Sequence, residues 1–189
     1  MGQALWYTSR ATGLVSLLLF TSVMVLGALN TGRLATARWP RFAISDLHRN
    51  LSLVSLVFIA VHVSTAIIDP YAGIGWISAI VPFTSSYRPL WLSLGAIGAD
   101  LLIAIVITSL VRGRIPLKLW RGLHWCAYLC WPIAIAHGLG SALYDARLSW
   151  VILFNIGCVV AVLAAVGWRL TTTHADTKAR RGEMVGAGR

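Results

Sequence analysis

The sequence predicts an all-α fold, a polytopic membrane helix bundle of about five transmembrane helices. A short interfacial or re-entrant segment is expected on the outer face. Three observations carry this. The chain of 189 residues is 58% hydrophobic and only 12% charged, whereas soluble domains carry about a quarter charged residues. The apolar residues fall in blocks of roughly twenty, the length that crosses a hydrocarbon core of about 30 Å. The basic residues collect between the blocks, where they set orientation. That placement excludes a nucleic-acid reading of the net charge of +10.

The first span is expected over 11–30. It runs too long for a signal-peptide core, and no small-residue cleavage site follows, so it reads as a retained span. The second is expected over 47–68, with Ser45 or Asp46 as its N-cap. The third covers 90–111, the fourth 119–139 with Pro116 just before it and Pro132 inside it, and the fifth 148–168. The stretch 71–83 is too short to cross. It holds Gly73, Gly75 and Trp76 and ends on Pro82 and Phe83 before Thr84, Ser85 and Ser86. An interfacial segment follows from that pattern. Residues 1–168 then form one membrane domain, and 169–189 a basic, Gly-rich tail expected to fray and lose order.

Basic residues at the span ends divide thirteen to three. One side receives Arg33, Arg38, Arg41, Arg49, Arg112, Arg114, Lys118, Arg121, Arg169, Lys178, Arg180, Arg181 and Arg189; the other receives Arg10, Arg88 and Arg147. The positive-inside rule therefore predicts a multi-pass protein of the cell membrane with its N-terminus outside and its C-terminus in the cytoplasm. Arg180 and Arg181 in the tail read as topology signals, with contact to anionic lipid as the alternative. Cys126, Cys130 and Cys158 lie in apolar stretches, where free cysteine behaves as a small hydrophobe.

Histidine carries the chemistry. His48 and His62 lie fourteen residues apart on the second span, and His124 and His137 thirteen apart on the fourth. Both spans run from cytoplasm to outside, so the sequence pairs His48 with His124 near the inner face and His62 with His137 near the outer. At 1.5 Å per residue the two levels are about 20 Å apart, room for two flat macrocycles held edge-on between helices. Imidazole suits iron, and intramembrane histidine marks function by default. Four such residues in register favour two bis-histidine haem b centres over packing roles. Helix phase tests this. Fourteen residues return to within about 40° of the starting direction, whereas thirteen leave His137 about 140° from His124. Distortion at Pro132 is expected to bring His137 round. His174, in the tail, is assigned no role.

Around the histidines, Arg49 and Arg121 are candidates for haem propionates or for docking an acidic donor, with Arg41 nearby. Arg88 and Arg147 could serve outside. Gly13, Gly122 and Gly138 would allow close approach of helices or macrocycle edges. Trp125 and Trp131 lie between the ligands, while Trp6, Trp91, Trp150 and Trp168 read as interfacial anchors. Asp100, mid-span, is expected to be protonated, to bond an indole or hydroxyl, or to orient a ligand histidine.

The stretches Ser45-Asp-Leu-His-Arg-Asn-Leu-Ser-Leu to His62 and Leu119-Trp-Arg-Gly-Leu-His-Trp-Cys-Ala-Tyr-Leu to His137, with Ser9-Arg-Ala-Thr-Gly-Leu, resemble the ferric reductase-like transmembrane domain. That superfamily includes NADPH oxidases, ferric reductases and the haem-binding membrane subunit of the periplasmic methionine sulfoxide reductase system. The resemblance covers about 5–168. It implies transmembrane electron transfer through two b haems. It also implies an acceptor on the outer face, either a protein or a small molecule. No Gly-rich dinucleotide fingerprint occurs, so the donor is expected to be a separate cytoplasmic flavoprotein carrying FMN or FAD, or membrane quinol. The alternatives are a quinol-linked cytochrome b with its own quinone pocket, and a non-redox scaffold or channel.

Overall fold

In the computed structural model, residues 2–31, 40–70, 73–142 and 145–186 are described, with side chains 2, 3, 31, 41, 146 and 172–186 excluded. The structure is all-helical, 87% helix, and among the described residues has no strand. Seven helices follow in order: α1 Gly2–Thr31, α2 Arg41–Ile68, α3 Trp76–Ile80, α4 Pro89–Leu110, α5 Leu117–Trp125, α6 Ala127–Ser141 and α7 Ser149–Gly186. Four of them, α1, α2, α4 and α7, are long and apolar enough to cross a membrane. The fourth expected span is divided into α5 and α6, each too short on its own.

Two helices begin earlier than the sequence pattern suggests. α1 starts at Gly2, which puts Ser9 inside the helix. α2 starts at Arg41 behind Pro40, whose φ of −67° is already helical, and no side chain caps it. Proline favours this place because its missing N–H is one the first turn leaves unpaired. Ser45 and Asp46 therefore lie inside the first turns and are not the N-cap. α7 continues as helix to Gly186, across the boundary expected at 168. Of the basic residues used to orient the chain, Arg33, Arg38 and Arg189 lie outside the described residues, as do the side chains of Arg41, Lys178, Arg180 and Arg181. The same holds for the side chain of His174.

The helix break sits at Cys126, not at Pro132. α6 passes through Pro132 as helix. At Cys126 the backbone N–H donates to the Leu123 carbonyl at 3.0 Å, and Leu129 N–H donates to Cys126 at 3.0 Å. These are three-residue bonds, which wind the chain at about 120° per residue in place of 100°. The break lies between His124 and His137, the interval in which the phase mismatch calls for a distortion.

Packing runs in layers. α1 lies along α2 over most of their length, α4 along α6, and α7 against α1. A mid-depth core of Leu17, Phe20, Met24, Leu102, Trp131 and Cys158 locks α1, α4, α6 and α7 together. Trp131 is 7% exposed and its indole N–H donates to Thr21 Oγ1 at 3.1 Å, joining α6 to α1. Cys130 is buried beside it, its thiol donating to the Gly98 carbonyl at 3.2 Å. At the His62 end, Arg10 pairs with Asp145 at 2.8 Å and donates to the Ala142 carbonyl at 2.9 Å. Between α2 and α4, the short α3 exposes Trp76, Ile77 and Ile80, with Phe83 after it, the apolar surface expected of an interfacial segment.

Trp131→Ala should lower the thermal unfolding midpoint in detergent, at a cost of about 3–5 kcal/mol. Thr21→Val, which is nearly isosteric and loses the bond to the indole, should cost about 0.6 kcal/mol. Equal effects would show that the indole hydrogen bond, not volume, holds the core.

Candidate functional site

The four histidines meet in two pairs. His48 on α2 faces His124 on α5, and His62 on α2 faces His137 on α6. Ring centroids are 6.2 Å apart in both pairs, with ring planes at 59° and 80°. These contacts fix the relative direction of the elements: α5 and α6 run parallel to α2 and cover the same depth. α2 otherwise packs on α1 and lightly on α3 and α4, and only 6% of its apolar window is buried in the protein. The facing imidazoles tie α2 to α5 and α6, and Leu56 and Ile59 of α2 pack against the core that holds Trp131.

Three of the rings are held alike. His62 Nδ1 meets the Ser9 carbonyl at 2.7 Å, His48 Nδ1 the Val23 carbonyl at 3.0 Å, and His137 Nδ1 the Trp91 carbonyl at 2.7 Å. A carbonyl only accepts, so each Nδ1 carries the proton and donates. The tautomer is thereby fixed, and the Nε2 lone pair is left for a metal. In each case the residue four further along the neighbouring helix is glycine. A Cβ at Gly13 would lie 3.0 Å from His62 Cε1, at Gly27 3.3 Å from His48 Cε1, and at Gly95 2.5 Å from His137 Cε1. The missing side chain lets the imidazole reach a carbonyl already used within the helix. Gly13 and Gly27 are fourteen residues apart on α1, the spacing of His48 and His62 on antiparallel α2.

His124 differs. Its Nδ1 is buried without a hydrogen-bond partner among the described residues. Its ring stacks on Trp120 of the same helix, centroids 4.9 Å apart and planes at 25°. The Arg112 guanidinium lies over the Trp120 ring, 4.4 Å from its centroid. The Trp120 indole N–H donates to Ser109 Oγ at 3.3 Å.

The spacing of each pair would let its two imidazoles hold one metal ion between them. Imidazole nitrogens sit about 2 Å from a first-row metal ion, so two rings on opposite sides of one ion have centroids about 6 Å apart. Protein-only zinc sites take at least three side chains. Among the described residues no group of three or more His, Cys, Asp or Glu comes together. Two facing imidazoles would therefore suit a metal held in a macrocycle, such as haem, better than a bare ion.

The other candidates divide. Gly13 does pack on His62, whereas Gly122 and Gly138 have nothing within 4 Å of an added Cβ. Arg49 and Arg121 are exposed at the His48–His124 end and make no hydrogen bond or ion pair among the described residues. Arg88 instead donates to the Gly140 carbonyl, tying the start of α4 to the end of α6. Arg147 is exposed. Trp131 belongs to the core, and Trp125 is 58% exposed, packed against Tyr128 and Arg169. Asp100 is exposed and hydrogen-bonds no described residue. Orienting the histidines, one role considered for it, falls to backbone carbonyls. The residues that sequence reasoning missed are Gly27, Gly95 and Trp120. The matched spacing of Gly13 and Gly27 was the available signal for the first.

A family model described as ferric reductase like transmembrane component matches residues 12–135. Neither the comparison with curated proteins nor that with solved structures gives a match.

Alanine at the three glycines should disturb the sites in the order Gly95, Gly13, Gly27, following contacts of 2.5, 3.0 and 3.3 Å. The thermal unfolding midpoint of the purified variants measures this, as would bound haem per chain where the rings hold haem. An effect equal at all three positions would count against imidazole packing as the reason for glycine.

Proposed function

Since the chain belongs to the ferric reductase-like transmembrane family, we propose that it is a di-haem b subunit that carries electrons across the cell membrane. The family implies membrane electron transfer and generally binds haem. The observation that carries the finer reading is the pair of facing imidazoles at two depths, each with centroids 6.2 Å apart. Haem bound there would supply a one-electron couple at each depth.

The protein's own part is ligation and orientation. Ser9, Val23 and Trp91 hold His62, His48 and His137 in the tautomer that presents Nε2. The core around Trp131 keeps the levels apart and excludes water between them. Arg49 and Arg121, exposed without protein partners, supply cationic groups for propionates or for an acidic donor at the cytoplasmic end. The donor is a separate flavoprotein reductase, and the acceptor is a protein or small molecule at the outer face. The thirteen-to-three division of basic residues supports the orientation, with the N-terminus outside and the C-terminus in the cytoplasm.

One observation favours quinol as an alternative donor. A groove of about 380 Å³ between α6 and α7 is lined by Ile135, Leu139, Ile152, Asn155, Ile156 and Val159. It is apolar and within the size range of small-molecule sites. Ile135 and Leu139 lie two residues either side of His137, on the opposite face of α6. Full reduction of the purified protein by a quinol alone would select that donor.

The haem-to-protein ratio with a reduced-minus-oxidised spectrum tests the central reading, and about two low-spin b haems per chain are expected. His62→Ala or His137→Ala should remove the outer haem and leave the inner one. Folded wild-type protein without haem, expressed with ample haem supply, would reject the assignment.

A further inference from the structure

At the outer level both imidazoles donate from Nδ1 to a helix carbonyl beside glycine, and His48 at the inner level does the same. His124 is met on its face as well. Trp120 lies one helical turn earlier on α5, on the same side of the helix. Its ring stacks on the imidazole with centroids 4.9 Å apart and planes at 25°. A carbonyl pins one edge of a ring. A flat neighbour limits the tilt of the whole plane, because turning the imidazole out of the stack parts the two faces or drives an edge into the indole.

The indole is itself held from outside α5. Its N–H donates to Ser109 Oγ at 3.3 Å, in the last turn of α4. The Ser109 hydroxyl gives its own proton to the Ile105 carbonyl at 2.7 Å, which leaves its oxygen free to accept from the indole. The Arg112 guanidinium, just past the end of α4, lies 4.4 Å from the indole ring centroid, a cation over an aromatic face. A line of contacts thus runs from the end of α4 through Trp120 to His124. It steadies a ligand carried on a helix of only nine residues that ends at the break at Cys126.

We propose that Trp120 is the positioning residue of the inner level. Held by Ser109 and Arg112, it sets the plane in which His124 presents Nε2. It touches the imidazole and acts only through that ring. Partners that orient a ligand histidine carry about 10–100-fold in metal affinity. This inference rests on the di-haem reading above and names the group that fixes one of its four ligands.

The test compares Trp120→Leu, which keeps apolar bulk and helix preference, with Trp120→Phe, which keeps a flat face. Both are made in the full-length protein in nanodiscs. Haem per chain, the low-spin ferric electron paramagnetic resonance and the rate of haem loss to a haem-scavenging apoprotein are read on the same samples. The resonance reports how the planes of the two axial rings lie to each other, and a general loosening of the bundle does not move it at one level alone. Wild type should show two haems and two low-spin signals. Trp120→Leu should shift one signal, leave the other, and speed the loss of one haem by about 10–100-fold. Trp120→Phe should return both readings towards wild type. Loss of one haem from Trp120→Leu during purification, with both retained in Trp120→Phe, would support the same role. Unchanged signals in both variants, a shift of both signals together, or a Phe variant no better than the Leu variant would overturn the proposal and leave the di-haem reading standing. Fewer than two haems in wild type would overturn the reading beneath it, and the inference with it.

Discussion

The hydrogen bond from imidazole Nδ1 to a helix carbonyl next to glycine is the constraint on which the rest of the structure depends. A neutral imidazole has one N–H and one lone pair, on opposite edges. Fixing the N–H fixes where the lone pair points. Inside a helix every carbonyl already accepts a bond from the residue four ahead, so only its second lone pair is open. An imidazole reaches that lone pair only if the residue four ahead has no side chain in the way. Glycine meets the condition at Gly13, Gly27 and Gly95. The requirement explains why α1 lies so closely along α2, and α4 along α6. Trp91 shows the same closeness from the other direction, its ring set against Gly140.

Two helix pairs then have to be held at a separation set by facing rings, with α2 largely unburied. The mid-depth core does this from the side. Trp131 reaches Thr21 on α1, and the core passes through Leu102 on α4 to Cys158 on α7. The ends are closed by charge. Arg10 binds Asp145 and the end of α6, and Arg88 binds Gly140. At the opposite end Arg169 donates to the Tyr128 hydroxyl, just past the break at Cys126. The break itself is a condition of the site. A straight helix would carry His137 about 140° away from His124, and both rings could not face α2.

Much of this was legible in the sequence, for particular reasons. Span positions follow from hydropathy, and the pairing of His48 with His124 and His62 with His137 follows from register on spans of the same direction. The phase mismatch of thirteen residues showed that the fourth span had to be distorted. It did not show where, because Pro132 is a visible signal and the three-residue bonds at Cys126 have none. Asp100 drew attention as the mid-span carboxylate able to orient a histidine. The groups that do so are the carbonyls of Ser9, Val23 and Trp91, and a backbone carbonyl leaves no trace in residue type. Starting α1 at residue 11 also left Ser9 outside the helix that presents it.

The asymmetry between the two levels follows from the same rule. Glycine inside a helix costs about 1 kcal/mol relative to alanine, so a glycine at each anchoring position is a standing cost that the imidazole bond offsets. Three positions carry it. His124 is held differently, stacked on Trp120 of its own helix with centroids 4.9 Å apart. Both levels have two facing imidazoles with centroids 6.2 Å apart. What separates them is how the rings are anchored: both rings of the His62–His137 pair donate to carbonyls beside glycine, and in the other pair His48 does so. The placement of these rings is therefore set by the neighbouring helix as much as by the histidines themselves.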